Sequence, residues 1–181
     1  MSNHMQMILG SHYFLKRFFT ETTAPLLLLK PLNEGSNYAL LDPTAAVPFV
    51  APMRFETLAQ AGDLADQGFV QLSYFHLNDQ EAPVFVAKAK RLFEHRERLQ
   101  GNLSLALLIT DAKAPEYVLM SQWERTLDVF ASKKTPLMAP ILDFAQRAAK
   151  GQGFHEAHYQ IVSPEAEDDA DDDSTQLITE S

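Results

Sequence analysis

Gly68-Phe69-Val70-Gln71-Leu72-Ser73-Tyr74-Phe75-His76-Leu77 decides the fold. Between Phe69 and Phe75 only Gln71 and Ser73 are polar, and the rest are aliphatic or aromatic, the composition of a buried strand. Downstream, Pro83–Leu99 reads as a helix with Phe85, Ala89, Leu92, Phe93, Arg96 and Leu99 on its core face and Gly101 as its stop. Leu103–Thr110 and Glu116–Trp123 read as strands joined by a turn at Asp111–Pro115. Arg125–Ser132 predicts a short helix. Thr135-Pro136 predicts the start of a longer one running to Lys150, because Thr offers an oxygen to free amides and Pro suits the first helical position. Phe154–Val162 is a last strand. The order β-α-β-β-α-β is the split βαβ of the ferredoxin-like fold.

Upstream lies a second, shorter version. Gln6–Leu9 predicts a strand and His12–Thr22 a helix carrying Phe14, Leu15, Phe18 and Phe19. Leu26–Leu32 and Tyr38–Leu41 predict a hairpin about the turn Asn33-Glu34-Gly35-Ser36-Asn37. Arg54–Asp66, with Phe55, Leu58 and Leu64, predicts a further helix. A ferredoxin-like sheet is apolar on both faces, and one layer of helices covers only one of them. The expected fold is therefore α+β. A truncated β-α-β-β half (residues 1–66) should pack face to face on a complete half (residues 67–162), giving in one chain a pseudo-dimeric barrel.

Residues 163–181 stand apart. They hold eight acidic residues and no Lys or Arg. Removing those eight from the 24 acidic residues of the chain leaves 16 against 15 basic ones, so the net charge of −9 belongs to the tail. Such a segment is expected to be disordered, and a nearly neutral body argues against nucleic-acid binding. The chain has no cysteine, which excludes disulfides, thiolate metal sites and Cys nucleophiles and fits a reducing cytoplasm. The apolar runs at Met5–Leu9 and Leu26–Leu29 are too short for a signal peptide or a membrane span. The expectation is a soluble cytoplasmic protein, a monomer (internally a pseudo-dimer) or a weak homodimer.

The second half resembles the antibiotic-biosynthesis-monooxygenase domain. The resemblance is carried by Gly68-Phe69-Val70, Gly101-Asn102-Leu103, Pro115-Glu116-Tyr117-Val118-Leu119-Met120-Ser121-Gln122-Trp123 and Phe154-His155-Glu156-Ala157-His158-Tyr159. The whole chain more narrowly resembles two-part bacterial heme-degrading monooxygenases. That resemblance implies heme chemistry resting on an Asn on the first strand of the domain, and on a Trp and a His on the helices after the third. Position by position, Ser73 stands in place of the Asn, and the Trp position falls at Phe130 or Ser132. The His position falls at Pro140–Leu142, and no histidine occurs between His95 and His155. Trp123 matches a structural Trp of the family. The candidate catalytic positions are therefore Ser73 and Phe130.

His155 and His158 are the remaining candidates for holding a heme, although strand alternation puts them on opposite faces. His4 and His12 are expected at the surface, and Ser73 is expected to bond locally. Pro140 is expected to bend its helix. Two functions follow, a heme-binding, heme-degrading monooxygenase relative or a non-catalytic protein that binds a small apolar ligand or a protein partner; the resemblance also allows a third, cofactor-free oxidation of a polyphenolic substrate, which no residue here supports. No nucleophile elbow, P-loop or dinucleotide fingerprint is present.

The architecture generates the first prediction. Residues 67–162 expressed alone will be insoluble or newly dimeric by light scattering, because one sheet face would lie open to water at a cost of roughly 25 cal/mol per Å². A stable monomer of that span would remove the pseudo-dimer.

Overall fold

The computed structural model describes residues 3–151 and 153–166. In chain order the elements are β1 (His4–Gly10), α1 (His12–Lys16), α2 (Phe18–Glu21), β2 (Leu27–Pro31), β3 (Tyr38–Asp42), β4 (Met53–Ala61), β5 (Phe69–Phe75), α3 (Glu81–Glu94), β6 (Asn102–Thr110), β7 (Tyr117–Trp123), α4 (Thr126–Ser132), α5 (Ala139–Lys150) and β8 (Phe154–Val162). The eight strands close into one barrel in the order β1-β3-β2-β8-β5-β7-β6-β4. The expected tail begins in the described residues with a turn at 163–166 and otherwise lies outside them.

Each half contributes four neighbouring strands, β4-β1-β3-β2 and β6-β7-β5-β8, in the same ferredoxin-like order. Two antiparallel seams join them. At one, Leu28 faces Val162 and Pro31 faces Tyr159. At the other, Phe55 faces Thr110 and Ala61 faces Leu105. The halves thus meet along both edges as well as through their inner faces, which leaves no open sheet edge.

The expected helix at 54–66 is a strand. Met53–Ala61 pairs with β1 on one side and β6 on the other, with a register shift between Thr57 and Ala59. Good helix formers such as Leu58, Ala59 and Gln60 yield here to pairing with two neighbours at once. The first half is therefore not truncated in its sheet; what it lacks is the second helix. The connection between β3 and β4 takes that place, and Val47 and Phe49 bury against Leu15, Leu28 and Leu40 on the outer face.

Asp42 shapes this connection. Its Oδ1 accepts from the Thr44 amide (2.9 Å) and hydroxyl (2.6 Å), and its Oδ2 from the Val47 amide (2.9 Å) and Gln6 Nε2 (2.9 Å). Burial works to raise the Asp42 pKa, but the bonds from Thr44, Val47 and Gln6 outweigh it and the net shift is downward.

Other local expectations also need correction. The helix expected over His12–Thr22 is two short helices that divide at Arg17. His12 is buried, its ring 5.2 Å from Tyr38. The Thr135 hydroxyl donates to the Ser132 carbonyl (2.7 Å) instead of capping α5, which begins only at Ala139. Pro140 therefore sits in the first turn of α5, where its missing N–H has no intrahelical partner to lose and bends nothing.

Two cores result. Inside the barrel lie Met7, Leu29, Leu41, Phe55, Val70, Leu72 and Met120, among others. Outside it, Phe75, Leu107, Leu119 and Trp123 pack against Phe85, Leu92, Ile141 and Phe144 of α3 and α5. No helix among the described residues is long and apolar enough to cross a membrane.

Asp42→Ala will lower the unfolding free energy by about 3 kcal/mol in urea titration, since several buried donors lose their acceptor together. A loss under about 0.5 kcal/mol, the range of an ordinary surface change, would show that Asp42 does not hold the connection.

Candidate functional site

The period of β5 sorts its side chains. Val70, Leu72 and Tyr74 point into the barrel, so Gln71, Ser73 and Phe75 face the helices. Register then aligns Gln71 with Ser121 on β7 and His158 on β8, and Ser73 with Glu156. Above this surface run α4 and α5. Between them is a cleft lined by Ser73, Ser121, Trp123 and Glu156 below, by Met138, Ile141, Leu142 and Ala145 above, and by Lys133 at the side. Its enclosed space is about 20 Å³, enough for roughly one water molecule.

Two glycines bring the parts together. Gly68, with φ +95°, opens β5 where a Cβ would run into the Trp123 carbonyl. Gly101, with φ +76°, leaves room for the Asp128 carboxylate, which is buried and accepts from Arg125 Nε (3.2 Å) and Nη2 (2.9 Å) at the start of α4. That seating fixes α4 and sets Lys133 over the sheet.

The polar centre of the cleft is Glu156. Its Oε2 accepts from Gln71 Nε2 (2.7 Å) and Lys133 Nζ (3.1 Å). His158 Nε2 lies 3.3 Å from the same oxygen but makes no aligned hydrogen bond. Burial alone would raise the Glu156 pKa; the contact with His158, the bond and charge of Lys133 and the bond from Gln71 overcome it and hold the pKa at about 2. Glu156 is thus a fixed anion paired with a fixed cation. Such a group is a poor general base at neutral pH, where a useful base titrates near the working pH.

Of the residues singled out in the sequence, Ser73 lies in the cleft, largely buried, and its hydroxyl has no hydrogen-bond partner among the described residues; the expected local bond is not formed. Phe130 stands half-exposed on α4, its ring beneath Lys133 Nζ at 5.8 Å, in a neighbouring depression that also includes His158. The two positions do not share one pocket. His155 and His158 do face opposite sides: His155 is opposite Tyr74 and stacks on it at 4.3 Å, whereas His158 is opposite Gln71. His155 and His76 instead approach Glu116, at 4.0 and 3.3 Å. Among the described residues no group of three His, Cys, Asp or Glu side chains is placed to hold a metal ion.

Sequence reasoning missed Gln71, Ser121, Lys133 and Glu156. The signal for the first two was present, as polar residues spaced along otherwise apolar strands. Lys133 and Glu156 come together only through the fold.

An eight-stranded antiparallel barrel closed from two ferredoxin-like halves, with helices outside, is the architecture of the antibiotic-biosynthesis-monooxygenase type. No family model matches the chain. A heme-degrading monooxygenase of Listeria monocytogenes is 25% identical over 163 residues, which span 89% of this chain and 95% of the relative. A ferredoxin-fold protein related to antibiotic biosynthesis monooxygenases, from Listeria monocytogenes 4b F2365, has a TM-score of 0.76 at 23% identity, covering 88% of this chain and 94% of that one. A heme-degrading enzyme from Listeria monocytogenes has a TM-score of 0.73 at 21% identity, covering 87% and 98%. The resemblance seen in the sequence therefore holds along the chain, which is similar to these proteins in sequence and in fold.

The residues present do not fit a heme in the cleft as it stands. The lining offers no imidazole, and Met138 supplies the one sulfur.

The Glu156 pairing sets an acid response. A pKa held at about 2, against an ordinary value of 4.5, means that the pairing stabilises the fold fully above pH 4.5 and is lost as pH falls towards 2. The stability difference between wild type and Glu156→Gln, measured by denaturant titration, will therefore be larger at pH 6 than at pH 3. An equal difference at both values would show that the Glu156 charge contributes nothing.

Proposed function

We propose that this chain is a monooxygenase-like protein whose cleft binds a small, mainly apolar ligand and does not degrade heme. One observation carries this: the space between the sheet and α5 is walled by Phe75, Leu119, Met138, Ile141, Leu142 and Ala145, with no histidine in the lining. Apolar walls with a few convergent polar groups are the usual form of a small-molecule site. Ser73 stands where the resemblance implies Asn, and it is shorter. Glu156 is held ionised by its partners and offers neither a proton nor ready basicity. The chain's own residues here shape the ligand, exclude water and present fixed dipoles.

Heme binding is the second reading, favoured by the similarity along nearly the full length of a heme-degrading monooxygenase. In that reading His158, on the helix side of β8 behind the Glu156–Lys133 pair, is the better candidate for holding the group. His155 is mostly exposed and stacked on Tyr74.

Hemin titration of the purified protein separates the two. The expected result is no saturable one-to-one Soret band and, with reductant and catalase present, no rapid bleaching with release of iron. A one-to-one band that His158→Ala abolishes would establish the second reading instead. Leu142→Phe, which fills the cleft from α5, will in turn lower the affinity for small aromatic probes about tenfold while leaving the melting temperature nearly unchanged, since volume is added at a half-exposed position.

A further inference from the structure

At one end of the barrel the first half leaves apolar side chains open to water. Val50 is 92% exposed and Tyr13 65%, and Leu9, Phe14 and Met53 are each 40% exposed or more. Strand direction gathers them, because β1 ends where β4 begins. Met7 faces Met53 across that pair; Leu9 follows Met7 by two residues, and Val50 precedes Met53 by three. Phe14 of α1 lies against the same end, its Cδ1 3.0 Å from where a Cβ on Gly10 would stand. From Phe14 the contact continues through Phe18 (ring centroids 5.6 Å) to Phe49 (5.1 Å), the chain neighbour of Val50. These residues therefore form one surface, and a contiguous exposed apolar patch marks a site of association. Its tip is held in shape. Pro48 and Pro52 bracket Val50, and Ala51 is kept at φ +49°, a left-handed conformation that costs free energy in a residue with a Cβ.

We propose that this face docks on an anionic lipid surface, with Val50, Tyr13 and Phe14 entering the headgroup region and the cations around them meeting lipid phosphates. Charge selects that occupant. Lys16 Nζ lies over the Tyr13 ring at 5.2 Å, Arg17 adjoins Phe18, and Arg54 adjoins Met53. None of the three makes an ion pair among the described residues. Asp111, whose amide bonds the Arg54 carbonyl at 2.9 Å, borders the rim, and Lys113 follows it on the same turn. Aromatic and aliphatic tips with Lys and Arg beside them are the composition of a membrane-interface contact. The acidic run of the chain does not oppose it. Strand directions alternate around the barrel, so β8 ends where β1 begins, and residues 163–166 set out from the opposite end. Docking of this kind lies on the surface and needs no crossing helix. It is independent of the cleft under α5.

Co-sedimentation of the full-length protein with phosphatidylcholine vesicles, with and without phosphatidylglycerol, tests the proposal. Binding is expected to the anionic vesicles and not to the neutral ones, and it should weaken as salt screens the cations. Val50→Asp, at an open side chain, should lower the partition coefficient about tenfold, and Arg54→Glu by a similar factor. Both variants should melt as the wild type does. Should Val50→Asp not fold, Tyr13→Ser at a second exposed position carries the same expectation. Failure to bind anionic vesicles overturns the proposal, and so does equal binding to neutral ones. Binding that all three substitutions leave unchanged also overturns it, since the contact would then lie elsewhere on the molecule. A dimer in sedimentation velocity that Val50→Asp dissociates, with no binding to vesicles, overturns it in favour of a second copy of the chain.

Discussion

Closure of the barrel along two antiparallel seams is the constraint on which the rest of the molecule depends. A four-stranded ferredoxin-like sheet has two edges with unpaired backbone groups and one face its helices do not cover. Joining β2 to β8 and β4 to β6 removes both defects together, because the edges pair and the uncovered faces become a common interior. Leu29, Leu41, Phe55, Val70 and Leu72 are then buried from both halves in one core. Helices are excluded from that interior and can pack only outside, so any ligand site between sheet and helix lies on the outer surface.

Much of this was legible because it rests on local period. β5 and β7 announce themselves as apolar strands, and α3 shows Phe85, Ala89, Leu92 and Phe93 at helical spacing. β4 was not legible. Its segment is rich in helix formers, its alternation is broken by a register shift near Leu58, and its identity comes from β1 and β6, which lie far away in sequence. The same holds for the site. Ser73 could be singled out as a polar residue in an apolar strand, but nothing local in Lys133 or Glu156 foretells their 3.1 Å contact across 23 residues. His12 was misplaced for a related reason, since burial of an amphipathic first turn depends on Tyr38 from the following hairpin.

Similarity to a heme-degrading monooxygenase, at 25% identity, extends over 89% of this chain and 95% of that relative. Fold sets where a site lies and not what it does. In this chain the helix-facing surface of β5, β7 and β8 carries a bonded Gln71–Glu156–Lys133 cluster beside apolar walls. The cluster ties the sheet to the end of α4, so the residue that fixes the local charge also fixes the side wall of the cleft.

The two halves treat the same surface in opposite ways, and each does so through one carboxylate. In the first half Asp42 gathers the amides of Thr44 and Val47 and the amide of Gln6, which folds the β3–β4 connection down onto the sheet and puts Val47 and Phe49 where a helix would lie. All four of its bonds but one are to residues within five positions, so that surface is sealed by local structure. In the second half Glu156 draws its partners from β5, α4 and β8, and its bonds to Gln71 and Lys133 span 85 and 23 residues. The cleft lies on the second half, beneath α5, with the Glu156–Lys133 pair at its side.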